Sequence, residues 1–279
     1  MQEEYSEEFR QSAFNKLKEL KNIISAKERM AVAFSAGVDS TFLLTVAHAV
    51  LKDNVLAVTA VLSSVPEKDI STARMFCHQN GITQLEVPFD ELSIPGFSEN
   101  PPERCYICKK ALFSRMKEIA SENGILCMAE GSNADDAEDY RPGLKALKEL
   151  EIFSPLTEAG LSKSEIRFLS KEMELPTWDK RSAACLSSRI PYGETITKEK
   201  LHMIDRAEQL IKDLGFDVVR VRMHGEIARI ETAPEEFEKM LREGIRERIT
   251  QTLKELGFSY VTMDLTGYRT GSLNEVLNL

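Results

Sequence analysis

Ser35-Ala36-Gly37-Val38-Asp39-Ser40 stands between an apolar run, Met30 to Phe34, and an amphipathic run, Thr41 to Leu51. A buried strand that breaks into a turn of small residues and then opens a helix gathers backbone N–H groups at one point. The helix dipole adds partial positive charge there, so the place suits an anion such as a phosphate group. Ser35 and Ser40 add hydroxyl donors and Gly37 keeps the backbone uncrowded. The stretch lacks the Gly-Lys-Ser/Thr end of a Walker sequence and the three glycines of a dinucleotide fingerprint. The plainer alternative is an ordinary strand-to-helix turn.

Outward from this turn, the first half of the chain alternates between two periodicities. Helices are expected at Phe9 to Ile24, Thr41 to Leu51, Pro66 to Gln79 and Lys109 to Glu122, and strands at Ala31 to Phe34, Val55 to Val61, Gln84 to Val87 and Ile125 to Ala129. Strands separated by single helices imply right-handed crossovers and a doubly wound parallel sheet. Ligands of such sheets bind beyond the carboxyl ends of the strands, where residues 35 to 40 fall. A further helix, Ser162 to Glu174, stops before Pro176, and from Trp178 to Gly193 periodicity is lost. A different rhythm follows, with helix Lys198 to Leu214, strands Asp217 to Met223 and Ile227 to Glu231, one or two helices over Pro234 to Leu256, and strand Tyr260 to Asp264. The α/β chain is therefore divided into a domain over 1–178 and a second, smaller α/β domain over 179–279. Leu-Gly-Phe recurs at 214–216 and 256–258, either as two related helix-strand units or as two glycine-terminated helices.

The chain has 279 residues, 42% of them hydrophobic, and a net charge of -9. No apolar segment reaches the ~18 to 20 residues of a membrane span, and the acidic N-terminus lacks a signal-peptide core. The acidic balance disfavours a nucleic acid partner, although a local basic patch can hold one phosphorylated ligand. Five cysteines without a secretion signal point to reduced thiols. These readings describe a cytoplasmic protein with no membrane partner.

Cys105 and Cys108, in Cys-Tyr-Ile-Cys, precede Lys109, Lys110 and a helical stretch. Two thiols three apart at a helix start lie on one face, and the dipole and lysines favour thiolate. A redox pair, a metal site and structural thiols all suit this pattern. Cys185, in Ala-Ala-Cys-Leu-Ser-Ser-Arg, is a third candidate. Three thiolates suit an iron-sulfur cubane with one iron free of protein ligands. Tetrahedral zinc would need a fourth ligand, for which His48, His78, His202 and His224 are isolated candidates. Cys77 and Cys127 fall in helix and strand patterns and read as buried hydrophobes.

Glu130 to Gly143 is acidic and rich in turn residues. Such a loop after a strand can contact a ribose or adenine, or hold magnesium through Asp136 or Asp139, or simply be solvated. Ser187 to Gly193 offers Ser188 and Arg189 to a charged substrate. Arg220 and Arg222, two apart in a strand, face one side and suit a phosphate or carboxylate. The competing reading is an exposed strand face paired to Glu226 and Glu231.

Residues 35 to 40 resemble the PP-loop, Ser-Gly-Gly-x-Asp-Ser, of the ATP pyrophosphatases, an adenine nucleotide alpha hydrolase-like fold. Ala36 replaces the usual first Gly, which a negative φ would tolerate. More restrictive stretches are Asp-Tyr-Arg-Pro-Gly-Leu-Lys-Ala at 139–146, Ser-Ser-Arg-Ile-Pro-Tyr-Gly at 187–193, Val-Arg-Val-Arg-Met-His at 219–224, Ile-Ala-Arg-Ile-Glu at 227–231 and Tyr-Val-Thr-Met-Asp-Leu at 260–265. Together they resemble the LarE family, ATP-dependent sulfurtransferases of the PP-loop superfamily that mature a nickel-pincer nucleotide cofactor.

The resemblance implies adenylylation of the carboxylates of pyridinium-3,5-biscarboxylic acid mononucleotide, loss of pyrophosphate, and replacement of the adenylate by sulfur from an external donor. It implies ATP and Mg2+ at Ser35, Ala36, Gly37, Val38, Asp39 and Ser40, with Gly131, Asp136 and Arg141 on the nucleotide and Asp39, Ser188 and Arg189 in catalysis. Arg220 and Arg222 match positions contacting the substrate phosphate, and Glu208 and Glu231 match acidic positions near the substrate or a metal. One branch of the family sacrifices a cysteine at the position held here by Ala184. Cys185 is shifted by one, and with Cys105 and Cys108 it matches the other branch, whose three cysteines hold a [4Fe-4S] cluster that carries sulfide. Related proteins form homo-oligomers, so a homo-oligomer is expected. Two rivals are a PP-loop enzyme that thiolates tRNA, which should show a basic RNA surface, and a non-enzymatic sensor of nucleotide and cluster.

Overall fold

The computed structural model describes residues 5–138, 142–181, 184–269 and 271–272. The chain divides into two compact units, Met1–Glu91 with Cys105–Ala183, and Leu92–Arg104 with Ala184–Leu279.

The first unit runs α1 (Glu7–Ser25), β1 (Met30–Ala33), α2 (Val38–Leu51), β2 (Val55–Val61), α3 (Glu67–Gln79), β3 (Gln84–Pro88), α4 (Arg104–Glu122), β4 (Met128–Ala129), α5 (Pro142–Glu149), α6 (Pro155–Glu158) and α7 (Lys163–Glu172). Arg104, the first residue of α4, groups with the second unit. The four strands lie in the order β3-β2-β1-β4, and every neighbouring pair is parallel. Alternate strand residues enter opposite cores. Met30, Val32, Val55 and Ala57 join Leu20, Phe42 and Leu169 on one face. Ala31, Leu56 and Val58 join Phe113, Met116 and Ile152 on the other. Burial on both faces explains why these strands read as continuous apolar runs rather than alternating ones. Each fully buried Leu or Phe contributes about 1.5–3 kcal/mol, and the cores hold the turn after β1 on a fixed base.

Two local differences bear on the site. The strand expected from Ile125 shrinks to Met128–Ala129, because the chain leaving α4 first closes a turn through Ile125 N–H to the Ala120 carbonyl, at 2.9 Å. The segment expected as one open loop from Glu130 to Gly143 is partly ordered as a 3-10 turn, Ala134–Glu138, and α5 opens at Pro142, a residue preorganised for a first helical position.

The second unit holds a 3-10 turn (Leu186–Arg189), α8 (Lys198–Asp213), β5 (Val219–His224), β6 (Ile227–Thr232), α9 (Phe237–Met240), α10 (Ile245–Glu255) and β7 (Tyr260–Met263). β5 and β6 are antiparallel, and β7 joins β6 in parallel. Register places Arg220 opposite Glu231 and Arg222 opposite Arg229, so these four share one face. Val219, Val221, Met223, Ala228 and Ile230, of opposite parity, are buried. Both Leu-Gly-Phe sequences are helix ends of one kind, with Gly215 at φ 84 and Gly257 at φ 112, followed by buried Phe216 and Phe258. Among the described residues no helix is long and apolar enough to cross a membrane.

Candidate active site

The turn after β1 has the local geometry that suits an anion. Gly37 caps α2 with φ -82 and ψ 169 and no side-chain capping bond. The first rung from Gly37 runs from Thr41 N–H to its carbonyl at 2.9 Å. The amides of Val38, Asp39 and Ser40 therefore precede the helical ladder. Ser40 Oγ lies 3.1 Å from Ser35 Oγ, receives Ser35 N–H at 3.3 Å and donates to the Gly37 carbonyl at 3.3 Å. Asp39 accepts the Lys163 ammonium on Oδ2, whereas its Oδ1 is buried without a hydrogen-bond partner among the described residues. An orphaned buried acceptor costs about 1–3 kcal/mol, which a cation would offset. A hard divalent ion with oxygen ligands such as Mg2+ therefore fits beside this carboxylate.

Ala36 corrects an expectation. Its φ is +52, not negative, so the methyl group sits in the left-handed region. An L-residue there costs about 1–2 kcal/mol, which accounts for glycine in the motif. Lys180 donates its ammonium to the Ala36 carbonyl at 2.9 Å and to Asp69 Oδ1 at 2.8 Å.

Gly131 backs onto this turn. A Cβ on it would lie 3.1 Å from Ser40 N and 3.3 Å from Asp39 Cβ, so the glycine permits close approach of β4's exit to the helix start. Asp136 Oδ2 accepts from Asn133 N–H at 3.0 Å, and Asp135 Oδ2 accepts from Lys163 N–H at 2.8 Å. Arg141 and Asp139 lie outside the described residues. Sequence reasoning passed over Lys163 and Lys180. The signal for Lys163 was Ser162-Lys-Ser-Glu165, which forms a capping box at the start of α7. Lys180 lies in aperiodic sequence and carried no signal of its own.

No cysteine is in a disulfide. Cys105 and Cys108 occupy the first turn of α4, one exposed and one half-buried, and belong to the first unit. Cys185 is exposed in the second unit. Accessible thiols are the right donors for an iron-sulfur cluster. Within either unit taken alone, no three His, Cys, Asp or Glu side chains gather as ligands among the described residues. Burial pushes the Cys77 thiol up to about 12, as expected for an inert hydrophobe. Cys127 is half-buried and its thiol is also raised, by burial.

In the second unit the turn carrying Cys185 is held by guanidinium groups. Arg189 donates Nη1 to the Ala184 carbonyl at 2.8 Å, the Cys185 carbonyl at 3.2 Å and Ser188 Oγ at 2.9 Å. Arg104, buried and unmarked by any sequence pattern, reaches the Ser187 carbonyl at 3.1 Å. Arg222 reaches the Ser188 carbonyl at 2.7 Å. Asn100 Nδ2 donates to the Ile190 and Pro191 carbonyls at 3.1 and 2.7 Å.

The two acidic candidates are counterions of this set. Glu208 receives Arg189 through two bonds, 2.7 and 3.0 Å, and Val221 N–H at 3.1 Å. Burial pushes its carboxyl up, but Arg189, with Arg220 and Lys212, outweighs this and holds it below the usual range. Glu231 receives Arg222 at 3.1 and 2.9 Å and Arg229 at 3.1 Å. The Arg222–Glu231 pair is thus buried, not an exposed strand face, and Glu226 is engaged elsewhere, by Ser259 Oγ at 2.5 Å. Arg220 is half-buried beside the Tyr268 ring, 5.3 Å from its centroid. Its Nη1 donates to the Val219 carbonyl at 2.8 Å, and burial, then the charge of Arg189, lowers its pKa from the ordinary guanidinium value.

A parallel α/β sheet whose first strand ends in a turn that opens a helix, and a small α/β unit bearing buried arginines, define a two-unit α/β protein. The chain belongs to the LarE family. It is 38% identical over 251 residues to the pyridinium-3,5-bisthiocarboxylic acid mononucleotide synthase of Lactiplantibacillus plantarum, covering 90% of each chain. It is also 41% identical over 263 residues to an uncharacterized protein of Synechocystis sp., covering 94% of this chain and 98% of that one. An uncharacterized protein of Methanocaldococcus jannaschii is 27% identical over 261 residues, covering 91% and 98%. No family model matches the chain.

Proposed function

We propose that the chain is an ATP-dependent sulfurtransferase of the PP-loop type that converts the carboxylates of pyridinium-3,5-biscarboxylic acid mononucleotide to thiocarboxylates. The observation that carries the ATP half is Asp39, whose buried Oδ1, without a hydrogen-bond partner among the described residues, stands at the start of α2 among amides ahead of the helical ladder. The relative named for the bisthiocarboxylic acid product supports the substrate.

A carboxylate oxygen leaves poorly and AMP leaves well. Attack of the substrate carboxylate on the α-phosphorus of ATP forms an acyl adenylate and expels pyrophosphate. A hydrosulfide equivalent from an external donor then adds to the carbonyl carbon, and the tetrahedral adduct expels AMP. The amides of Val38, Asp39 and Ser40 and the hydroxyls of Ser35 and Ser40 would hold the departing pyrophosphate in fixed positions. Asp39 would hold magnesium, which neutralises phosphate charge. In the second unit Arg220 and Arg222 would face the substrate's phosphate, and Arg222 and Arg189, paired with Glu231 and Glu208, keep the Cys185 turn in place. A [4Fe-4S] cluster on Cys105, Cys108 and Cys185 would supply the sulfide.

The test is incubation of the reconstituted protein with the biscarboxylic mononucleotide, MgATP and sulfide, reading pyrophosphate and product mass. Pyrophosphate and an oxygen-to-sulfur exchange at each carboxylate are expected, both dependent on the mononucleotide. ATP turnover to ADP, or pyrophosphate without thiocarboxylate, overturns the reading.

A further inference from the structure

We infer that Lys180 is a positioning residue that clamps the strained phosphate turn in its binding-competent shape. The inference rests on the reading of residues 35 to 40 as the site of the nucleotide's phosphates. Ala36 holds a left-handed conformation that its methyl group disfavours. The Lys180 ammonium accounts for its persistence, bonded to the Ala36 carbonyl at 2.9 Å and to Asp69 at 2.8 Å. Lys180 is itself fixed, since Arg167 on α7 donates to its carbonyl at 2.7 Å and to that of Trp178 at 2.7 Å. One turn earlier on α7, Lys163 engages Asp39. The same helix face therefore braces both ends of the turn. In the planar trans peptide the Gly37 N–H points opposite to the Ala36 carbonyl, and so away from Lys180.

Without the clamp, the turn with alanine spends most of its time outside the competent conformation, and apparent affinity falls by the competent fraction. Glycine enters the left-handed region freely, so it should restore that fraction without the lysine. This separates a clamp from a direct phosphate ligand, whose lost charge glycine cannot replace.

The experiment measures equilibrium binding of MgATP to wild type, Lys180→Met, Ala36→Gly and the double variant, with hydrogen exchange of residues 34–42 in the nucleotide-free proteins. Lys180→Met should weaken binding roughly tenfold and speed exchange in that segment, and the double variant should bind nearly as wild type. Asp69→Asn, which keeps the ammonium but removes its anchor, should weaken binding less and be rescued likewise, and it serves if Lys180→Met does not fold. Unchanged binding and exchange in both lysine-side variants overturn the clamp. A loss that glycine does not rescue overturns it in favour of direct phosphate contact. No MgATP binding by wild type overturns the phosphate-site reading instead, and the exchange measurement still decides the clamp.

Discussion

Arg189 and Glu208 face each other across two parallel hydrogen bonds, Nε to Oε1 at 2.7 Å and Nη2 to Oε2 at 3.0 Å, with both side chains buried. The third nitrogen of the guanidinium is thereby aimed at the carbonyls of Ala184 and Cys185. Removing one partner of such a pair leaves an uncompensated buried charge. Glu208→Ala should destabilise the protein by about 3–5 kcal/mol, read by denaturant unfolding. A loss below about 1 kcal/mol would mean that solvent compensates Arg189 and that the pair does not hold the turn.

The same pairing sets an acid limit. Glu208, Glu165 and Asp264 are each pushed up by burial yet held below their ordinary values, Glu208 by Arg189, Glu165 by Lys16 and Ser162, and Asp264 by Thr266 and Arg229. The unfolded chain therefore binds more protons than the folded one at acid pH. Their stabilisation is fully present above the ordinary carboxylate range, about pH 4, and is lost as pH falls through the depressed values. Denaturant midpoints should be flat above that range and drop below it, with a shallower drop in Glu208→Gln. A midpoint that rises on acidification contradicts this assignment.

Gly131→Ala tests how closely β4's exit must approach the phosphate turn. The new methyl group would meet backbone, Ser40 N at 3.1 Å and Asp39 C at 3.3 Å, which cannot swing aside as a flexible side chain can. The expected outcome is a stability loss of about 1–3 kcal/mol together with weaker MgATP binding. Gly160→Ala is a control for glycine substitution as such, since nothing lies within 4 Å of its Cβ position and only its φ of +66 is strained. Equal effects of the two on nucleotide binding would remove Gly131 from the site.

The parallel sheet was legible because buried strands carry unbroken apolar runs, and Val55–Val61 shows this with its ends read to the residue. The start of α4 was not, because Arg104 to Cys108 mix charge, thiol and aromatic residues without a helical stripe, although they form its first turn. At the candidate site the turn residues announced themselves through small side chains at a strand-helix junction. Their supports did not: Lys163 and Lys180 meet partners 124 and 144 residues away, and although a capping box marks where Lys163 sits, nothing local tells what either ammonium binds. The arginine pair was readable as sharing a face, but the carboxylate of Glu231 binds Arg222, diagonally placed, although register sets Arg220 opposite it, and spacing does not tell this.

Under the proposed function, the ATP chemistry and the delivery of sulfur can be separated by two substitutions. Asp39 belongs to the phosphate turn, and Asp39→Asn keeps its shape while removing the charge that meets Lys163. It should lower pyrophosphate release by roughly a hundredfold and leave bound iron unchanged. Cys185 lies in the turn gripped by Arg189, so Cys185→Ala should leave that grip on backbone carbonyls intact while removing one thiolate. Iron and acid-labile sulfide, measured after anaerobic reconstitution, should fall from about four per chain to near zero in this variant and in Cys105→Ala and Cys108→Ala, with substrate-dependent pyrophosphate release retained. Iron that ignores these three substitutions would return the sulfur source to free sulfide or to a reactive cysteine, and a protein lighter by about 34 Da after turnover, the mass of hydrogen sulfide lost on forming dehydroalanine, would identify a sacrificed cysteine.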